Sequence, residues 1–151
     1  MNKESIYILE DRGIIYITGE DTFNYLQNII SNDLKKVTDN QSCFSYLLTP
    51  QGKYLFEFII IKHKSGYFLD CPKYQIENLY KQLILYRLRS KVEIANLSNE
   101  FVVAALLKDK FIEFKKNNNA GMTIKFREDP VILDPRCTKL GARIIINLEK
   151  L

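Results

Sequence analysis

The apolar and polar positions of this chain alternate in two rhythms that trade places along its length. Ile6–Leu9 and Gly13–Thr18 are short β-branched and aromatic runs separated by Glu-Asp-Arg-Gly, which predicts a hairpin. Gly19-Glu20-Asp21 then opens a helical pattern: Phe23, Leu26, Ile30 and Leu34 recur at spacings of three and four, with acidic residues at the positive end of the helix dipole. A strand is expected at Cys43–Thr49 and, after the turn signal Pro50-Gln51-Gly52, the strongest strand of all at Lys53–Lys62. A loop at His63–Gly66 returns the chain through Tyr67–Cys71. Pro72 suits the first turn of a helix whose face is Ile76, Leu79, Tyr80, Leu83 and Leu88. Lys91–Leu97 reads as a returning strand.

The pattern restarts at Phe101 with a strand to Leu107, a Lys-rich helical or looped piece to Lys116, and a break at Asn117-Asn118-Asn119. Short strands follow at Met122–Phe126, Val131–Leu133 and Ala142–Leu148, with Asp134-Pro135-Arg136 as a turn. Alternating strands and helices with antiparallel pairs define an α+β fold. The restart predicts two lobes, residues 1–98 and residues 99–151, the second smaller and incomplete.

Composition narrows the classes. At 151 residues, 46% apolar and 26% charged, the chain is too apolar for disorder, and it lacks the roughly 20-residue apolar run of a spanning helix. The polar start Met1–Ser5 predicts no signal peptide. The net charge of +4 comes from basic residues interleaved with Asp, Glu and Asn, which argues against nucleic acid as a direct partner. Cys43, Cys71 and Cys137 are odd in number and form no CxxC, and His63 is the only histidine, so neither a disulfide framework nor a metal site is expected. Six glycines without a G-x-G-x-x-G arrangement argue against a dinucleotide fold.

One residue calls for an explanation. Along Tyr54–Ile61 both strand faces are apolar, as in a strand covered on both sides, and Glu57 alone interrupts the run. A carboxylate buried without partners costs several kcal/mol and favours its neutral form, a property of proton acceptors and of groups that bind nitrogenous ligands. The plainer alternatives are an edge strand with Glu57 facing water, or pairing with Arg87 or Arg89. Asp70 is a weaker case; standing just before Cys71-Pro72, it has helix initiation as its plainer use. Aromatic residues near Glu57 would suit a flat heteroaromatic ligand.

Four stretches together resemble a known family. Gly19-x-Asp21-x-Phe23-x-x-Leu26-Gln27 with Ser31-Asn32-Asp33-Leu34 is similar to the first helix of folate-binding proteins related to the glycine-cleavage aminomethyltransferase (T-protein). Tyr46-x-Leu48-Thr49-Pro50-Gln51-Gly52-Lys53 followed by Phe56-Glu57-Phe58 resembles their central hairpin. Tyr86-x-Leu88-Arg89-x-Lys91-Val92-x-Ile94 resembles the end of their next helix and the following strand, and Asp134-Pro135-Arg136 with Leu140-Gly141-x-Arg143 a late turn. The Thr-Pro-Gln-Gly-Lys turn and the Leu-Arg-x-Lys-Val stretch look most like the YgfZ-type branch, whose mitochondrial relatives are Iba57-like.

The resemblance implies an aminomethyltransferase-like fold of antiparallel sheets with packed helices, belonging to a ring of three domains around a folate-sized hole. It implies tetrahydrofolate or a derivative as cofactor and iron–sulfur client or assembly proteins as partners, some of those clients modifying tRNA. The location it implies is the bacterial cytoplasm, or the mitochondrial matrix in a eukaryote. Any turnover would be aminomethyl or one-carbon transfer. It gives Glu57 the place of an Asp that lies against the pterin and assists proton movement, so Glu57 is the candidate proton acceptor and, with Phe68 and Asp70, a candidate ligand contact. A three-residue loop after His63 would put Glu57 on the face of Leu69 and Cys71; a two- or four-residue loop would put it with Phe68 and Asp70. The branch's Lys-Gly-Cys-Tyr-x-Gly-Gln motif belongs to a region beyond residue 151, and Cys137 is not its cysteine. The chain is then expected to be an N-terminal fragment or a shortened relative, with self-association through surface that a missing third domain leaves open. A lobe that binds no ligand is the remaining alternative.

Overall fold

A computed structural model describes residues 6–150, so the polar lead-in Met1–Ser5 lies outside the described residues. In chain order the elements are β1 (Ile6–Ile8), β2 (Arg12–Thr18), α1 (Thr22–Ile29), β3 (Cys43–Leu48), β4 (Tyr54–His63), β5 (Gly66–Pro72) and α2 (Ile76–Arg87). They continue with β6 (Glu93–Asn96), β7 (Phe101–Leu106), α3 (Ile112–Lys116), β8 (Thr123–Phe126), β9 (Asp129–Leu133) and β10 (Ala142–Asn147). Two five-stranded sheets result, ordered β3-β4-β5-β2-β6 and β1-β7-β10-β9-β8, with antiparallel pairing throughout. The fold is α+β, as the alternation of elements predicts. No helix among the described residues is long and apolar enough to cross a membrane.

The expected hairpin of the first two runs does not form. β1 pairs with β7 in the second sheet, Ile6 opposite Leu106, while β2 lies between β5 and β6 in the first. Local β-propensity identifies both strands but carries no information on which long-range partner each takes. The chain otherwise crosses from the first sheet to the second at residues 97–100.

Side chains alternate across each strand and so divide the apolar residues into layers. On the outer face of the first sheet, Ile15, Ile17, Phe58, Ile60 and Leu69 pack beneath α1 and α2, which contribute Tyr25, Leu26, Leu79 and Leu83. The outer face of the second sheet carries α3 through Phe114, over Ala104, Leu106, Val131 and Ile144. Between the sheets Ile14, Ile59, Ile61 and Phe68 meet Val103, Ile132 and Ile145. Each sheet is therefore covered on both faces, which explains why β4, β5 and β10 read as nearly continuous apolar runs.

Two helical stripes differ in detail from the periodic pattern. In α1 the buried residues are Thr22, Tyr25 and Leu26, while Phe23 is turned outward; Ile30 and Leu34 are buried beyond the helix end. The Tyr25 hydroxyl donates to the Leu83 carbonyl, tying α1 to α2, a polar anchor that an apolar-stripe reading passes over. α2 ends at Arg87, and Leu88, assigned from spacing to its buried face, projects into solvent. Gly19 allows the start of α1 to meet the segment before β6. Its φ is 127°, and a Cβ there would stand 2.3 Å from the Lys91 carbonyl oxygen.

Candidate functional site

The β4–β5 hairpin settles which residues share a face with Glu57. His63 pairs with Gly66, leaving a two-residue loop, Lys64-Ser65, with Lys64 in the left-handed region at φ 52°. Gly66 is required by packing: a Cβ there would lie 2.3 Å from the Ile17 carbonyl oxygen. With this register Ile59 pairs with Asp70 and Ile61 with Phe68, so Glu57, Phe68 and Asp70 all point toward the second sheet. The three candidate residues therefore lie on one face, at different depths.

Glu57 is half-buried, near the end of β4 where the outer residues Tyr54 and Leu55 are exposed. The doubly covered part of the strand is Phe58–Ile61, so Glu57 stands at the margin of the wall, not inside it. Neither Arg87 nor Arg89 pairs with it among the described residues. Its backbone carbonyl accepts from Gln75 Nε2 at 2.7 Å, which fixes the strand to the turn ahead of α2. Directly across on β3 stands Tyr46, whose ring stacks on Tyr54 at 4.5 Å between centroids and 29° between planes, and meets Phe44 edge-on at 5.1 Å. A carboxylate and a partly exposed aromatic surface are thus adjacent.

Phe68 is fully buried in the inter-sheet core, stacked on His63 at 4.5 Å and packed against Tyr16 and Phe101. Asp70 is also fully buried, with both oxygens engaged. Arg12 Nε donates to Asp70 Oδ1 at 2.8 Å and Arg12 Nη2 to the Asp70 carbonyl at 2.9 Å. Arg143 Nη1 donates to Asp70 Oδ2 at 2.8 Å, and Arg143 Nη2 to Asp134 Oδ2 at 3.1 Å. Arg136 completes the chain with Nε to Asp134 Oδ1 at 3.0 Å and Nη2 to Oδ2 at 2.7 Å. Helix initiation is not what Asp70 does here; it joins β2 and β5 of one sheet to β10 of the other.

This Arg12–Asp70–Arg143–Asp134–Arg136 chain is the part of the site that residue-by-residue reading missed, although Asp134, Arg136 and Arg143 belong to the late turn that carried the family resemblance. Burial by itself would raise the Asp134 carboxyl. Hydrogen bonds from the Arg136 side chain and backbone, with the charges of Arg143 and Arg136, outweigh it and hold that carboxyl below the ordinary aspartate range. The hydrogen bond to Asp134 raises the Arg136 guanidinium against a desolvation penalty, and the charges of Asp134, Asp70 and Glu57 raise it further. Glu57 is thus electrostatically coupled to the outer end of the chain, where Arg136 is 31% exposed. The three cysteines are free, Cys43 and Cys71 buried and Cys137 exposed, and the described residues contain no cluster of His, Cys, Asp and Glu suited to a metal ion.

Comparison with known proteins matches this architecture. No family model matches the chain. An aminomethyltransferase of Caldanaerobacter subterraneus subsp. tengcongensis is 29% identical over 106 residues, covering 70% of this chain and 28% of that protein. A second aminomethyltransferase, of Thermoanaerobacter pseudethanolicus, is 31% identical over 100 residues, 66% of this chain and 27% of that one. A mitochondrial iron-sulfur cluster assembly factor IBA57 homolog of Dictyostelium discoideum is 24% identical over 174 residues, covering 98% of this chain and 42% of the relative. Glycine cleavage system aminomethyltransferase T from Bartonella henselae superposes with a TM-score of 0.73 at 13% identity, over 93% of this chain and 40% of that one.

The fold is therefore that of glycine cleavage system aminomethyltransferase T, two antiparallel sheets with packed helices. In sequence the chain is similar both to aminomethyltransferases and to mitochondrial iron-sulfur cluster assembly factor IBA57 homologs. The chain spans between 27% and 42% of the length of the three curated relatives described.

Proposed function

We propose that this chain is a tetrahydrofolate-binding, YgfZ-type protein that supports maturation or repair of iron–sulfur proteins. The observation that carries the reading is the half-buried Glu57 carboxylate, at the margin of the inter-sheet face, beside the Tyr46–Tyr54 stack and coupled to Arg136. The donor set fits the group: a flat, nitrogen-rich ring needs an aromatic surface and a hydrogen-bond acceptor that is not already consumed. Glu57 would accept from the ring nitrogens, or take a proton from one, and Tyr46 would offer its ring face. Phe68 and Asp70 would act from beneath, Phe68 by fixing the hairpin and Asp70 by holding Arg12 and Arg143. Bound tetrahydrofolate would supply nitrogens able to carry a one-carbon unit.

Similarity to IBA57 homologs favours iron–sulfur assembly or client proteins as partners, and with them a mitochondrial matrix location in a eukaryote or the cytoplasm in a bacterium. Titration calorimetry with tetrahydrofolate under anaerobic conditions tests the reading. Binding is expected, and Glu57→Gln should weaken it about tenfold, or ~1.4 kcal/mol, with an unchanged circular dichroism spectrum. A melting temperature that does not move at saturating tetrahydrofolate would refute it in favour of a ligand-free structural lobe, because a ligand of the native state stabilises by mass action.

The second reading, a folate-dependent aminomethyltransferase, is favoured by the 29–31% identity to proteins of that name. Turnover with an aminomethyl-lipoyl carrier would establish it, and folate binding without turnover would remove it.

A further inference from the structure

A hollow of ≈430 Å³ opens at the start of β2, where the chain passes between the two sheets. Three segments wall it: the turn between β1 and β2, Lys73 directly after β5, and the crossover from Ser98 into β7. Backbone hydrogen bonds lock these segments together. Leu9 N donates to the Val103 carbonyl at 2.8 Å, Lys73 N to the Asp11 carbonyl at 2.7 Å, and Leu97 N to the Ile14 carbonyl at 2.9 Å. Ser98 Oγ is spent in the same way, accepting from Ile14 N at 3.1 Å and donating to Asn96 Oδ1 at 2.7 Å. The walls are therefore preformed, and the volume lies in the range of small-molecule pockets.

The lining has an apolar side, with Leu9, Phe101 and Val103, and a charged side that carries both signs, with Arg12, Lys73 and Glu10. Arg12 is the informative member. Its side chain is only 10% exposed, Nε and Nη2 both donate to Asp70, and Nη1 has no partner among the described residues. Asp70 divides one negative charge between Arg12 and Arg143, so the Arg12 guanidinium is incompletely neutralised as well as incompletely bonded. A nine-tenths buried cation with a spare donor in a cavity wall carries a desolvation cost that a ligand carboxylate relieves. Lys73 and Glu10 are exposed, and neither forms an ion pair among the described residues. We propose that this hollow binds a small zwitterion with an apolar body, the class of the apolar α-amino acids. The ligand carboxylate would accept from Arg12 Nη1 and Lys73, its ammonium would meet Glu10, and its apolar side chain would cover Phe101 and Val103. A plain inorganic anion is disfavoured, because it leaves Glu10 opposed and the apolar side uncovered. Glu57 is not part of the lining, and the proposal does not depend on folate binding.

The test is a titration of the isotopically labelled full chain, followed by amide NMR shifts. The probes are L-leucine and L-phenylalanine, each with its analogue lacking the amine and its analogue lacking the carboxylate, and inorganic phosphate. Saturable shifts at Leu9, Glu10 and Phe101–Val103 are expected with at least one of the amino acids, with affinity about tenfold weaker for either analogue. Because Arg12 also holds Asp70, the variants are made at the exposed lining residues, where binding separates from folding. Lys73→Glu should weaken the amino acid about tenfold, and Glu10→Lys should invert the order so that the analogue lacking the amine binds more tightly. A merely structural role for Glu10 does not produce that inversion. No saturable shift with either amino acid, equal affinity for the amino acid and its amine-free analogue in the native chain, or an order that Glu10→Lys leaves unchanged would overturn the proposal. Saturation by phosphate at the same concentration would overturn it in favour of a plain anion site.

Discussion

Replacing Asp70 by asparagine removes one charge from the middle of the buried chain with almost no change of shape. In the native protein this fully buried carboxylate holds Arg12 through Oδ1 and Arg143 through Oδ2, each at 2.8 Å, and those side chains are themselves only 10% and 9% exposed. The amide keeps one acceptor oxygen but turns an NH2 toward a guanidinium, so one cation loses its partner and both lose the opposing charge. Removing one member of a buried ion pair typically costs about 3–5 kcal/mol, most of it the penalty of a buried uncompensated charge. At ~2–4 °C per kcal/mol for a domain of this size, the melting temperature should fall by about 6–20 °C. Arg143→Met is the control. It leaves Asp70 with Arg12 and Asp134 with Arg136, so no buried carboxylate is left unpaired and the cost should be nearer ~1.5–3 kcal/mol. In the double variant the chain returns to the native excess of one cation, and the two losses should fall short of additivity by ~1 kcal/mol or more. Urea denaturation followed by circular dichroism at neutral pH measures all three. A loss below ~1 kcal/mol for Asp70→Asn, or losses that add within ~0.3 kcal/mol, would refute the claim that this chain joins the sheets electrostatically.

The remaining predictions are shorter. Burial first, then Lys64, Lys125 and Lys150, push the His63 imidazole down to about 4 against the opposing pull of Glu128. Unfolded histidine titrates near ~6.5, so between these values the unfolded chain binds the extra proton; the stability is complete above pH ~6.5 and is lost on acidification toward 4, on the order of 2–3 kcal/mol. His63→Phe should flatten that limb. It should keep the one below pH ~4, where Asp134, whose folded pKa is depressed, loses its contribution. Thiol labelling should modify exposed Cys137 rapidly and spare Cys43 and Cys71, whose thiols burial pushes up to about 11 and about 12, until the protein unfolds. Native labelling of either buried thiol at the rate of Cys137 would contradict the packing of the outer core.

Much of the fold is legible in the sequence because burial on both faces leaves a strong trace: β4 and β10 announce themselves as apolar runs, and Pro50-Gln51-Gly52 marks the turn between β3 and β4. What is not legible is partner choice. Ile6–Ile8 is a strand by composition, and nothing local directs it across the molecule to β7. Leu88 is also misplaced, because the five-residue step from Leu83 takes it off the face of Ile76, Leu79 and Leu83, and the helix stops one residue earlier. Of the candidate site, the face shared by Glu57, Phe68 and Asp70 hinges on a loop of two residues rather than three, a difference of one peptide unit that composition does not encode. Asp70 is visible as an anomaly among Phe68, Leu69 and Cys71. Its partners are not, because Arg12 and Arg143 lie 58 and 73 residues from it along the chain and arginine ordinarily means solvent.

The charge count in that chain bears on what Glu57 is free to do. Three guanidinium groups share two aspartates, so the buried chain carries one positive charge in excess, and that excess is least shielded by protein at Arg136. Glu57 is the third carboxylate whose charge reaches Arg136, and it does so without a hydrogen bond to it among the described residues. Its side-chain oxygens are engaged by no hydrogen bond among the described residues and remain available as acceptors. Asp70, two pairs along the same face, has compensation and occupancy together, because both of its oxygens are taken. Of the two acids, only the one at the margin keeps unengaged acceptor oxygens, as the proposed folate contact requires, and the buried one is committed to joining the sheets.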